Sequence, residues 1–111
     1  MQNGNSYTQI KEIVKLKKSL EMRQKMKLDK DECLKFFATY QYCMRRMRKN
    51  LRDILQNSYF DVRYKFWWVD EYCKSSFYRM RARAVSCFVN LFNTIYENFS
   101  YFSNNIVRDF K

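Results

Sequence analysis

Proline and histidine are absent from this chain, and glycine occurs once, at Gly4. No apolar run reaches the roughly 20 residues that a membrane-spanning helix needs. Each absence narrows the field. Without proline, and with its single glycine near the N-terminus, the sequence offers few breaks to long helices and no glycine at the turns of a sheet. The expected fold is therefore all-α. Missing histidine removes the usual general base, metal ligand and partner for a Ser or Cys nucleophile. No Gly-rich phosphate loop can be built. The four cysteines (Cys33, Cys43, Cys73 and Cys87) show no CxxC spacing and read as structural thiols, with Cys33 and Cys87 among apolar helical positions. The densest acid cluster, Asp29, Asp31 and Glu32, is better suited to helix capping than to acid–base chemistry. The chain reads as a non-enzyme with no cofactor and no metal. No signal peptide is visible, so the expected location is cytoplasmic and nucleoid-associated, with no membrane partner.

Acids are the scarce charge: 11 Asp and Glu stand against 22 Lys and Arg, a net charge of +11. Hydrophobic residues make up 47% and aromatics 19%, which is ample for a core and unlike a disordered basic tail. Such a balance points to a nucleic acid first and an anionic surface second.

Along the chain, residues 1–6 read as a disordered N-terminus. Residues 7–50 form a basic helical region, 51–103 a helix-turn-helix DNA-binding region, and 104–111 a frayed tail. In the first helix, over 7–28, Ile10, Ile13, Val14, Leu16 and Leu20 make a narrow apolar stripe. A capping box of Asp29 and Glu32 is expected to start the next helix. From there Cys33, Phe37, Tyr40, Met44, Met47, Leu51 and Ile54 recur at alternating spacings of four and three, one stripe of a long helix. Phe36 and Leu55 widen that stripe. It suits a core, with a homodimer seam as the second reading. Arg45, Arg46, Arg48, Lys49 and Arg52 form its basic back, and Asn50 is the place for a bend or a break into two helices. Residues 57–63 read as a connection, and residues 64–71 as a short helix with Phe66 and Trp67 or Trp68 turned inward.

The most specific stretch is WWVDEYCKSSFYRMRARAVSCF, from Trp67 to Phe88. Ser75 is the expected N-cap of a last long helix that frays near Asn104. At 100° per residue, Phe77, Ala84, Phe88, Leu91 and Ile95 fall within about 40° of one another's mean direction. Ser75, Arg79, Ala82 and Arg83 lie on the opposite side, and Tyr78 lies at the flank. Arg81 falls on the apolar side, where it can snorkel or pair with Asp70. From Lys74 to Phe92 there are four cations and no acid. Ser75, Tyr78, Arg79 and Arg83 are the candidates for base contact. Lys74, Ser76, Arg81 and the basic back of Arg45, Arg46 and Lys49 are the candidates for phosphate.

At these residues the run from Leu51 through Leu91 resembles region 4 of bacterial sigma factors. It looks closest to the small phage-type regulators of the ArpU and RinA kind. Ile54, Leu55, Tyr59 and Phe60 match the end of the family's first helix, and Ser75, Ser76, Phe77, Tyr78, Arg79, Met80, Arg81, Ala84, Val85 and Phe88 match its recognition helix. Cys73 departs from the family's capping Ser, and no region 2 is evident. The resemblance implies double-stranded DNA as partner, promoter recognition and contact with RNA polymerase, without an independent sigma activity. The alternative is a protein-interaction module without DNA binding, its aromatic excess serving as an anchor patch. A peripheral membrane protein using basic amphipathic helices is a third reading.

Overall fold

The computed structural model describes residues 6–62 and 64–101, which fold as helices with no strand among the described residues. The fold is all-α. In chain order, α1 spans Ser6–Lys25, α2 Lys30–Arg46, α3 Lys49–Leu55 with a π turn over Gln56–Phe60, and α4 Lys74–Glu97. No described helix is long and apolar enough to cross a membrane. The readings of disorder at the start and fraying at the end fall on residues 1–5 and 102–111, outside the described residues. Ser6 is already helical.

α1 and α2 form a hairpin made without glycine. Its turn is a Schellman motif: the Leu28 amide donates to the Arg23 carbonyl at 2.8 Å and the Lys27 amide to the Gln24 carbonyl at 3.0 Å. The motif puts Lys27 in the left-handed region at φ 59°. The capping box is not formed. Asp29, also left-handed, gives no side-chain bond to the start of α2. Its carboxylate instead accepts from Arg23 Nη1 at 3.2 Å, and Glu32 accepts from the Tyr96 hydroxyl.

The stripe runs over two helices, and the break placed at Asn50 comes about two residues earlier. The chain breaks at Met47–Arg48, just ahead of Asn50, because Met47 and Arg48 take extended backbone. The stripe nevertheless packs, with Cys33, Met44, Met47, Leu51 and Ile54 buried and Phe37 and Tyr40 half-buried. The expected connection at 57–63 begins instead as the π turn. Its wider turn brings Phe60 against Tyr40 and Phe88 at centroid separations of 5.0 and 5.4 Å, and the Tyr40 hydroxyl meets Gln56 Oε1 at 3.0 Å.

α4 lies against all three preceding helices, so its apolar arc is wider than the sequence stripe and takes in Val85, Val89 and Phe92. It ends at Glu97, where the Asn98 side chain donates back to the Thr94 carbonyl at 2.8 Å, and helix resumes over residues 99–101. The core divides in two along this helix. The larger part joins Ile10, Leu20, Phe36, Cys43, Phe88 and Phe92 among others. The smaller part is Ile54, Trp67, Trp68 and Phe77.

Candidate nucleic-acid interface

The start of α4 is set by the segment before it. Residues 64–72 do not form the expected short α-helix. They close tight turns, with the amides of Trp67, Val69 and Glu71 donating to the carbonyls of Tyr64, Phe66 and Trp68 at 3.0–3.2 Å. Phe66 points to solvent instead of inward, while both tryptophans are buried. Trp68 stacks on Phe77 at 4.4 Å and 7°, and Trp67 meets the same ring edge-on at 5.7 Å. Adjacent residues on an α-helix point about 100° apart, so a regular helix would not turn both indoles onto one ring. Tight turns do. The thirteen residues between the π turn and α4 also exceed the 3–4-residue turn typical of a helix-turn-helix.

Cys73 is the N-cap of α4, and Ser75 sits one residue inside the first turn instead of capping it. Cys73 makes no side-chain capping bond. Its thiol donates to Ser76 Oγ at 3.1 Å and lies 4.0 Å from Ser75 Oγ, and hydrogen bonds to the thiolate from the Ser76 hydroxyl and amide and the Ser75 hydroxyl lower its pKa from the ordinary value.

Beyond this start, the predicted reading face is on the surface. Lys74, Ser75, Tyr78, Arg79 and Arg83 are exposed, and Ser76 and Ala82 are partly so. None of the three ion pairs among the described residues involves Lys74, Arg79 or Arg83. Cys87, expected among apolar positions, is exposed, while Cys43 is fully buried. Burial pushes the Cys43 thiol from its ordinary 9.0 up to about 12.

The remaining site candidates are distributed elsewhere. Arg81 is partly buried on the other side of α4, its guanidinium 4.9 Å over Tyr78, 5.8 Å over Tyr7 and 5.9 Å over Phe77. No ion pair with Asp70 occurs among the described residues, and aromatic faces take that role. The break at Met47–Arg48 splits the basic back: Arg45 and Arg46 stay on α2, and Lys49 starts α3. Arg46 lies 4.5 Å over the Tyr42 ring, and Lys49 pairs with Asp53 at 2.8 Å. Lys49 is therefore partly neutralised on its own helix. Sequence reasoning missed the cavity beside Phe77 that Arg81 and Lys65 line, because it exists only once residues 64–72 take the turn conformation. No group of three or more potential metal ligands gathers among the described residues. No protein-family model matches the chain, and no curated protein and no solved structure is detectably similar to it.

Proposed function

We propose that this protein is a sequence-specific DNA-binding transcription regulator that reads duplex DNA with the first turns of α4. The observation that carries the reading is the exposed, acid-free face of Lys74, Ser75, Tyr78, Arg79 and Arg83 on a helix whose opposite side is packed. An ordinary solvated helix mixes charge signs for i,i+4 pairing, and this stretch does not. The helix start adds backbone amides and the positive end of the dipole, both suited to a phosphate oxygen. Arg79 and Arg83 can bridge guanine edges, while Lys74 and Ser76 hold the backbone. Action at promoters beside RNA polymerase follows from the resemblance to sigma region 4 and is the finer part of the proposal.

Selection of bound sequences from a random duplex pool tests it. A recovered motif should be bound with a steep salt dependence. Arg79→Ala should weaken that binding by roughly 1–3 kcal/mol and relax preference at one base position. If the variant binds selected and random duplex as the parent does, α4 is not the reader. A protein-interaction role has its own support in the exposed apolar side chains of Val62, Tyr64, Phe66 and Val69.

A further inference from the structure

The cavity between the π turn, Val62, residues 64–68 and α4 has a volume of about 380 Å³. Such a volume falls at the small-ligand end of the usual range of roughly 300–1,000 Å³. Its walls are the rings of Tyr64, Trp67, Trp68 and Phe77. Asn57 and Ser58 contribute amide and hydroxyl groups, Lys65 and Arg81 contribute charge, and none of the described lining residues is acidic. One further feature points to a ligand: Arg81 Nε is buried with no hydrogen-bond partner. A donor removed from water and left unmade is costly, and an anion drawn to the Arg81 guanidinium through the cavity that it lines would offset that cost.

We propose that this cavity binds a carboxylate carried on an aromatic or other flat apolar body. The body lies against the tryptophan and tyrosine rings, and the carboxylate accepts from the Arg81 guanidinium, with Lys65 at the mouth. Aromatic walls supply contact area with specific geometry, and a guanidinium fork matches a carboxylate in two-point fashion. Along α4, Arg81 is rotated by about 160° from Arg79, so the cavity opens away from the proposed DNA-reading face. Binding in the cavity does not need that face, so the site stands whether or not α4 reads DNA. The carboxylate can come from a free small acid or from an acidic side chain beside an aromatic one in a partner protein. Val62, Tyr64, Phe66 and Val69, each at least half exposed, extend the apolar surface next to the cavity.

Trp67 and Trp68 are the two tryptophans of the chain, so its indole emission reports on this cavity directly. The full chain is titrated with phenylacetate, with phenylacetamide of the same shape, and with a capped Asp-Phe-Asp peptide. Phenylacetate should shift the emission saturably, and phenylacetamide should bind at least about 10-fold more weakly. Arg81→Gln should weaken phenylacetate binding by about 10-fold with helicity kept. If that variant does not fold, Lys65→Gln at the exposed mouth should weaken it about 3-fold. Tighter binding of the peptide than of phenylacetate assigns the site to a protein segment, and the reverse order assigns it to a free acid. The proposal is overturned by amide and carboxylate binding alike, by unchanged binding in a folded Arg81→Gln or Lys65→Gln variant, or by no saturable response to either acid.

Discussion

The two hydrophobic clusters along α4 differ in size, composition and role. The larger draws on α1, α2, α3 and most of α4, and its aromatic rings Phe36, Phe88 and Phe92 are surrounded by Ile10, Leu20, Leu55, Val85 and Val89. The smaller has four buried members, three of them aromatic, and two of those come from a segment without regular helix. One cluster makes the fold. The other fixes how α4 begins and leaves a cavity at its side. A basic face mounted on the first turns of α4 depends on the second cluster for position and on the first for existence.

Truncation in the large cluster should have the largest effect. Phe88 is fully buried between Tyr40, Phe60 and Phe92. Phe88→Ala should cost about 3–5 kcal/mol, a large share of a small domain's stability, and urea unfolding followed by circular dichroism should show it. A loss below about 1 kcal/mol would mean that the two clusters do not differ as described. The same cluster predicts an alkaline limb. Above pH 9.0 the Cys43 thiol ionises in the unfolded chain, whereas in the folded protein it stays protonated up to about 12. Tyr40 behaves alike, from 10.0 to about 12. Unfolding then releases protons, so stability should fall as pH climbs from about 9 to 12, by at most about 4 kcal/mol for Cys43. Cys43→Ala should flatten the lower part of that limb. An unchanged limb in this variant would assign the alkaline loss to other groups.

In the small cluster the effect should be smaller and local. Trp68→Ala removes the ring stacked on Phe77 but leaves the large cluster intact, and should cost about 3 kcal/mol, the low end for a buried aromatic. Amide exchange should quicken over residues 74–80 and stay slow over residues 84–95. On the proposed function, DNA binding should fall although no side chain of the basic face is altered. Equal loss of protection in both halves of α4 would merge the two clusters into one cooperative unit.

What the sequence revealed follows the same division. The stripe from Cys33 to Ile54 and the core face of α4 were legible because period alone places them, and Arg81 was legible on the apolar side for the same reason. The break at Met47–Arg48 carried no glycine or proline, and Asn50 marked it only to within about two residues. Residues 64–71 read as helix because aromatic composition without breakers is ambiguous, and the requirement that both Trp67 and Trp68 reach Phe77 is a tertiary one. The cavity inherits that illegibility. The basic face was legible as a pattern of charge, while the helix cap was misplaced by two residues, since Cys73 is a weak capping residue and Ser75 a favoured one.

The hairpin between α1 and α2 offers the smallest test, because it lies in the region of the large cluster and far along the chain from α4's start. The Schellman bonds require a left-handed residue, and Lys27 supplies it at φ 59°. A Cβ in that region costs roughly 1–2 kcal/mol. Glycine avoids the cost but gains about 0.4–1 kcal/mol of unfolded-chain freedom, so Lys27→Gly should stabilise by about 0.5–1 kcal/mol. A rise of a few degrees in Tm, with amide exchange over residues 74–80 and DNA binding unchanged, would separate global stability from the seating of α4. A fall in Tm would show that Lys27 contributes something at this turn beyond its backbone angle.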